Sequence, residues 1–389
     1  MKNKQKVITF VILALLVISP LFFGVALAYT RDLSNVPYYQ QAQSNYCGPA
    51  TAQMWIKYED GDYYSQSTLW NYIQNHLTEP DDWYTDPDSL EATLDHYIPA
   101  NAWYFDSSYS SADSGLNDVV YYLDEYVEPQ SSLVYNGGHW MLVRGVYSSA
   151  APATSPSYTV YGIYVNDPDT SGVGEDHYLT ASTWKSTYFT ANQYGTKWNG
   201  KYVNVVCPEH GSDEGPGNGM AGLEKSYHAD RAEQATQIAY ERYIAHNLTK
   251  NQRFAEHFNG SVADDPLMVK SLSPDFSNYY LVPFKIDGKT STVVIVEVGG
   301  GKMRFAGASY ASEHLGEYPE ISEEEATQIA EDYAGHNLGL PMLVWKPCEQ
   351  SWSPYHPFWK FHDGPTTLYI ATADGTIYTE LTRPEKGGS

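Results

Sequence analysis

Apolar residues in the first half of the chain are spaced in ways that predict a helix and two neighbouring strands. From Ala50 to Tyr58 they recur at helical spacing. Residues 140–146 and 158–165 are apolar runs of strand length. We expect these two strands to pair antiparallel, which would bring the start of the first beside the end of the second.

Helical and strand patterns alternate in the second half of the chain. The sequence Ala-Thr-Gln-Ile-Ala occurs at residues 235–239 and again at 326–330, each time followed by a His-Asn-Leu block. Asp287-Gly288 and Asp374-Gly375 each separate two apolar runs, which is a strong hairpin signal. The pattern predicts a unit of one helix and one antiparallel hairpin that is present twice.

A Gly-rich, acidic stretch without apolar periodicity separates the two halves. It spans residues 209–222 and has the composition of a linker. We therefore predict a first domain over residues 29–208 and a second over residues 223–389. A length of 389 residues also favours two folded domains over one.

A secretory signal peptide is predicted over residues 1–28. Three lysines precede an uncharged run from Val7 to Leu27, and Ala26-Leu27-Ala28 is typical of a cleavage site. The run is also long enough to span a bilayer, so an uncleaved N-terminal anchor is the alternative. In both cases we expect the bulk of the chain to be secreted or to lie on the extracellular face of the membrane.

Composition and charge narrow the class of partner. An apolar fraction of 42% with 35 tyrosines supplies enough material for folded cores. A formal net charge of −24 repels phosphates and anionic lipid head groups. Nucleic acid is therefore excluded as a partner, and membrane contact is expected only through an uncleaved N-terminal segment.

The cysteine count is odd and too small for a disulfide framework. The chain contains Cys47, Cys207 and Cys348. The simplest account pairs Cys207 with Cys348 across the two domains and leaves Cys47 as a thiol, but the sequence does not decide whether the two are bridged.

Cys47 is the candidate nucleophile because it opens the first predicted helix. In the following Gly48-Pro49, the glycine admits close approach of a substrate and the proline suits a first helical turn. The helix dipole favours a thiolate at this end, and the thiolate is the reactive form. Gln41 lies six residues earlier, which is enough chain for a loop to return its side-chain amide toward the sulfur. There it would act as an oxyanion donor, which stabilises the transition state by about 3–4 kcal/mol. Gln40 and Gln43 compete with it for that role.

His139 and Asp167 occupy the two strand ends that antiparallel pairing would bring together. His139 stands at the entrance of the first predicted strand, and Asp167 directly follows the second. Asp167 would accept the proton on one ring nitrogen of His139 while the other nitrogen faces Cys47. The loop after Asp167 carries oxygen ligands, but their spacing does not fit a calcium-binding EF-hand, and we expect no metal and no cofactor.

Four pieces of the first domain resemble the peptidase C39-like branch of the papain-like fold. They are Val36-Pro37-Tyr38-Tyr39 before Gln41, the Cys47-Gly48-Pro49 helix start, Gly138-His139-Trp140, and Val165-Asn166-Asp167-Pro168. The resemblance implies an α+β fold in which the helix that bears the nucleophile packs on an antiparallel sheet. It also implies a catalytic set with Cys47 as nucleophile, His139 as base, Asp167 as its orienting partner and Gln41 as oxyanion donor.

The second domain is similar in its helix-hairpin order and its duplication to PepSY-type domains. These are small α+β modules found attached to secreted peptidases and proposed to inhibit or chaperone them. The resemblance implies regulation of the first domain by residues 223–389 as one role. Positioning a substrate and binding the cell envelope are the alternatives, and the sequence does not choose between them.

Together these features predict a secreted cysteine peptidase. It would hydrolyse peptide bonds of a peptide or protein substrate through a thioester intermediate. The same apparatus also serves amidases and transglutaminase-like acyl transferases. A further alternative is a non-catalytic extracellular protein that binds peptide or cell envelope on a papain-like scaffold.

Overall fold

We describe the fold from a computed structural model, which covers residues 28–98, 104–207, 231–273, 275–299, 302–363 and 366–388. The predicted signal peptide, apart from Ala28, and the predicted linker at residues 209–222 lie outside these ranges and stay predictions. Within them, every helix is too short or too polar to cross a bilayer.

The helices fall into two groups, one on each side of the predicted linker. They are α1 (Cys47–Glu59), α2 (Gln66–His76), α3 (Pro87–Tyr97), α4 (Ala112–Tyr126), the single turn α5 (Ala181–Thr183), α6 (Arg231–Ala245), α7 (Gln252–Phe258) and α8 (Glu323–Ala334).

The strands are likewise shared between the two parts of the chain. They are β1 (Tyr29–Asp32), β2 (Phe105–Tyr109), β3 (Gln130–Val134), β4 (His139–Ser148), β5 (Val160–Asn166), β6 (Asp176–Thr180), β7 (Tyr202–Val206), β8 (Val262–Ala263), β9 (Leu267–Ser271), β10 (Asn278–Ile286), β11 (Lys289–Gly299), β12 (Lys302–Leu315), β13 (Met342–Trp345), β14 (Phe358–Asp363), β15 (Thr366–Ala371) and β16 (Ile377–Tyr378).

The mixed α+β class predicted from the sequence is confirmed, with an N-terminal helix against an antiparallel-rich sheet. Helix α1 begins at Cys47, and its first ten residues are all buried. It packs against β4, where the Thr51 hydroxyl donates to the Trp140 carbonyl oxygen at 3.5 Å. A helix enclosed on most sides is apolar around most of its circumference, which is what the sequence between Ala50 and Ile56 shows.

The predicted pairing of the two apolar strands is also confirmed. β4 and β5 are antiparallel, with Leu142 opposite Asn166. All ten residues of β4 are buried, because β3 and β5 flank it and helices cover its faces. This register brings His139, the first residue of β4, beside the residue that follows β5, which is Asp167.

Both predicted hairpins are present in the second part of the chain. β10 and β11 pair through Asp287-Gly288, whose residues have φ of 51° and 77°, and β15 pairs with β16. Helix α6 packs on β10, β11 and β12, whereas α8 packs on β14 and β15. Duplication of one unit stays a prediction, since the structure does not show two equivalent repeats.

One continuous sheet carries strands from both parts of the chain. β12 pairs antiparallel with β6, with Ser309 opposite His177. Next to this junction Arg144 is fully buried and pairs with Asp32 and Asp176, and Arg253 donates to Asp176 Oδ2 at 2.9 Å. The second part therefore packs directly on the first, and the predicted division at residues 209–222 stays a prediction.

The predicted disulfide between Cys207 and Cys348 is wrong. All three cysteines lie in the described ranges, and none of them forms a disulfide. Cys207 and Cys348 lie in different apolar clusters, where each packs as a small buried side chain. The odd count therefore needs no pairing to explain it.

Candidate active site

Cys47 lies at the first position of α1 and is completely buried. A Cβ on the neighbouring Gly48 would lie 2.4 Å from Thr85 Cγ2, so only glycine allows this close approach. The backbone N–H of Trp140 donates to the Cys47 sulfur at 3.3 Å. A donor at this distance and the positive end of α1 both stabilise negative charge on the sulfur.

His139 lies between Cys47 and Asp167 and touches both. Its Nε2 donates to Asp167 Oδ1 at 2.8 Å, and both side chains are fully buried. The ring is also hydrogen-bonded to Cys47, a contact that falls to Nδ1 because Nε2 is taken by Asp167. The structure thus brings three of the four predicted site residues into one chain of contacts.

The charges in this chain stabilise one another. Burial by itself would lower the pKa of His139, but the charge and hydrogen bond of Asp167 and the contact with Cys47 raise it well above its ordinary range. Burial would raise the pKa of Asp167, yet His139 and the more distant His177 lower it. Asp167 is therefore the ionised partner, and His139 holds its proton more tightly than a free histidine.

Gln41, the fourth predicted residue, lies beside Asp169, and its amide nitrogen is bonded to neighbouring oxygens. Its backbone N–H donates to the Pro168 carbonyl oxygen at 2.7 Å. Its Nε2 donates to Ser44 O at 3.3 Å and to Asp169 Oδ1 at 3.4 Å. Gln40 and Gln43 are exposed, whereas Gln41 is partly buried, so burial favours Gln41 among the three candidates.

Two further ionisable residues flank Asp167 and were missed at the level of sequence. His177 lies opposite Val165 in the β5–β6 pair, with its Nε2 3.8 Å from Asp167 Oδ2. Burial lowers the pKa of His177 to about 4, and its Nε2 donates to the Gly174 carbonyl oxygen. Burial and the charge of Asp167 raise the pKa of Asp169 to about 6. The signal that predicts His177 is its position one residue into the strand that follows Asp167.

Trp352 covers the histidine from the second part of the chain. Its ring stacks on His139 with centroids 5.5 Å apart and planes at 13°, and it also stacks on Tyr135. A Cβ on Gly138 would lie 2.4 Å from the Trp352 ring. No local pattern connects Trp352 to His139, because their contact depends on how the two parts of the chain pack.

The acidic loop after Asp167 uses its oxygens within the protein. Glu175 accepts from the Gly172 N–H at 2.8 Å, and Asp176 pairs with two arginines. Among the described residues, one acidic group has ligand atoms close enough to hold a cation: Asp88, Glu91 and Asp106. Lys197 Nζ lies 2.5 Å from Asp88 and 3.4 Å from Asp106, so this cluster already has a cation of its own.

Residues 33–198 match the model of the Peptidase_C39 like family. No curated protein and no solved structure matches the chain. The matched region includes Cys47, His139 and Asp167 and ends before the second part of the chain. The resemblance of that second part to PepSY-type domains receives no support from the match and stays a prediction.

Proposed function

We propose that the chain is a cysteine peptidase in which Cys47, His139 and Asp167 carry the reaction. The premise is that residues 33–198 form a Peptidase_C39 like domain. The observation that carries the proposal is the chain of contacts from the Cys47 sulfur through His139 to Asp167 Oδ1 at the start of a helix. A buried thiol in a purely structural role has no need of a histidine that is itself held by a carboxylate.

The reaction divides between the three residues as follows. The Cys47 sulfur attacks the peptide carbonyl, and the proton of the thiol resides on His139 Nδ1. His139 then gives that proton to the leaving amine, which leaves a thioester on Cys47. Water, deprotonated by the same histidine, then attacks the thioester carbonyl; the C–S bond breaks, the carboxylic acid is released, and Cys47 is regenerated. Asp167 keeps the ring oriented and stabilises its positive charge throughout.

The oxyanion needs two hydrogen-bond donors, and the structure has one of them in place. The backbone N–H of Cys47 lies at the open end of α1, where it faces developing negative charge. The Gln41 amide has to leave Asp169 and Ser44 before it can act as the second donor. We propose this rotation of Gln41 as part of substrate binding.

The proposal is tested by incubating the full chain with a denatured protein substrate and identifying new peptide ends by mass spectrometry. We expect cleavage that is lost in Cys47→Ala and in His139→Ala, while Cys348→Ala, which removes a buried thiol of the second part, retains it. Cleavage that persists in Cys47→Ala would contradict the proposal.

We also propose that the peptidase acts outside the cytoplasm, a proposal supported by the signal-peptide pattern of residues 1–28. The expected result is a mature protein that begins at Tyr29, found by N-terminal sequencing of material from the culture medium. Recovery of the protein only inside cells, with residues 1–28 still attached, would contradict it.

One observation favours the second candidate function, a binding protein on the same scaffold. Cys47, His139 and Asp167 each have no solvent exposure, so a substrate has no direct path to the sulfur in this form. The two candidates differ in the chemistry of the thiol. A peptidase thiol reacts with an epoxide probe faster than an ordinary cysteine and loses that reactivity in His139→Ala, whereas a binding protein shows neither effect.

A further inference from the structure

Two segments of the second part of the chain lie on the candidate active site. The first is residues 348–356, which carry Trp352 and which we call the cover loop. The second is residues 383–388, which we call the tail segment. Gly387 and Gly388 at the end of the tail segment are buried.

The tail segment is held by backbone hydrogen bonds that include one isolated β-bridge. The Gly387 N–H donates to Asp82 O at 2.9 Å, and Gly387 O accepts from the Tyr84 N–H at 2.9 Å. This pairing is parallel, with Gly387 opposite Trp83. The Gly388 N–H then donates to Gly137 O at 2.8 Å, two residues before His139. Backbone pairing of this kind is how proteins bind extended peptides.

The passage that holds the tail segment is too narrow for side chains. A Cβ on Gly388 would lie 2.2 Å from the Thr85 carbonyl oxygen and 3.0 Å from Trp140 Nε1. A Cβ on Gly387 would lie 2.6 Å from the Trp83 ring. Thr85 also packs against Gly48, and the backbone N–H of Trp140 donates to the Cys47 sulfur. Both residues that Gly388 packs against therefore also contact the helix start that carries the nucleophile.

Further anchors hold the rest of the tail segment to the first part of the chain. Lys386 Nζ donates to Pro80 O at 2.8 Å, and Arg383 Nε donates to the Tyr194 hydroxyl at 3.1 Å. The Tyr194 hydroxyl donates in turn to Pro384 O at 3.0 Å. The segment therefore has both the backbone bonds and the side-chain contacts of a bound peptide.

The cover loop acts on the other side of the site. The Trp352 N–H donates to Asp169 Oδ2 at 2.9 Å, and Asp169 Oδ1 accepts from the Gln41 amide. The loop thereby holds the carboxylate to which the Gln41 amide donates. Its tryptophan ring closes the face of His139.

We propose that the tail segment occupies the groove in which a peptide substrate binds, and that the structure is a self-inhibited form which opens when the tail segment and the cover loop leave the site. This inference rests on the proposed peptidase function, because it assigns the groove to a substrate. The ligand of the groove is an extended peptide backbone, here supplied by the chain itself.

The experiment measures how fast iodoacetamide alkylates Cys47 in the native full chain, followed by digestion and mass spectrometry. Labelling of a transiently exposed site follows the population of the open form. We expect Gly388→Ala to accelerate labelling about tenfold or more, because the new Cβ collides with backbone. The matched control is Gly260→Ala, another glycine of positive φ, where a Cβ meets nothing within 4 Å. Trp352→Ala is the second opening variant, and Trp359→Ala, which removes a buried tryptophan elsewhere in the second part, is its control.

A synthetic peptide with the sequence of residues 381–388 tests the groove itself. Added to Gly388→Ala, it should restore protection of Cys47, while the same peptide with alanine at both glycine positions should not. The inference is overturned if Cys47 labels as fast in the parent as in Gly388→Ala, if Gly260→Ala has the same effect, or if the peptide gives no protection. If labelling behaves as expected but no variant cleaves peptides, the self-cover stands and the proposed peptidase function fails.

Discussion

The two parts of the chain each bury a cysteine, and the comparison shows what makes one of them a candidate nucleophile. Cys47 lies at a helix start, with the Trp140 N–H and His139 against its sulfur. Cys348 lies in a loop and donates to Ser351 O at 3.6 Å, and burial raises its pKa to about 12. Burial therefore suppresses the thiolate of Cys348, whereas the Cys47 sulfur has a hydrogen-bond donor and a histidine beside it.

The histidines of the two parts differ in the same way. His139 has a raised pKa because Asp167 outweighs the effect of burial. His246, in the second part, bonds to the Tyr178 hydroxyl at 2.7 Å, and burial lowers its pKa to about 4. His139 therefore keeps its proton because it is hydrogen-bonded directly to a carboxylate, whereas His246 bonds to a hydroxyl and burial favours its neutral form.

The largest effect on the cleavage rate is expected from substitution of Asp167, whereas substitution of its neighbour Asp169 should cause no loss. In a Gly388→Ala background, Asp167→Asn should lower kcat/KM about 10²- to 10⁴-fold, because His139 loses the charge that orients and stabilises it. Asp169→Asn should leave the rate unchanged or raise it, since Asp169 bonds to the cover loop and to Gln41. Equal losses of kcat/KM in the two variants would show that Asp167 has no special role as the partner of His139.

A smaller effect is expected at the oxyanion donor. Gln41→Ala should lower kcat in the same background by about 10²- to 10³-fold with little change in KM, because the amide acts on charge that exists only in the transition state. Gln40→Ala and Gln43→Ala are matched controls on exposed neighbours and should retain the rate. A loss of kcat at either control that equals the loss at Gln41 would show that Gln41 is not the oxyanion donor.

The smallest effect concerns the dependence of stability on pH. The pKa of His177 is about 4 in the folded state against about 6.5 when unfolded, so its contribution is complete above pH 6.5 and is lost as the pH falls toward 4. The groups around it are Asp167, Asp176, His356 and Arg144. His177→Gln should therefore lose less stability than the parent between pH 7 and pH 4.5, by at most about 3 kcal/mol.

The pKa of His139 is shifted in the opposite direction from that of His177, which gives a second test. Its folded pKa is raised, so its contribution is complete below pH 6.5 and is lost as the pH rises through the folded value. In melting curves recorded across the pH range, the difference between His139→Gln and the parent should shrink on the alkaline side, and that of His177→Gln on the acid side. Parallel curves for the two variants would show that Asp167 does not distinguish them.

Local signals in the sequence were enough to predict the elements that carry the site. Gly48-Pro49 marks the start of α1, and the apolar runs before Asp167 and after His139 predict β5 and β4 together with their pairing. These are short-range properties of spacing and turn chemistry. For the same reason, the hairpin at Asp287-Gly288 could be predicted.

Contacts between the two parts of the chain could not be predicted in this way. The pairing of β6 with β12 and the stacking of Trp352 on His139 depend on tertiary packing that no local pattern encodes. The odd cysteine count suggested a disulfide that does not form. A thiol also packs well in an apolar cluster without a partner, and a count cannot distinguish the two cases. The position of the Gln41 amide also depends on such a contact, through Asp169 and the cover loop.

Peptide cleavage at Cys47 and its inhibition by the tail segment are tested together by assaying four proteins: the parent, Gly388→Ala, Cys47→Ala, and the variant that combines both substitutions. We expect Gly388→Ala to cleave faster than the parent and both proteins lacking Cys47 to show no cleavage. Cleavage by the combined variant at the rate of Gly388→Ala would show that Cys47 is not the nucleophile.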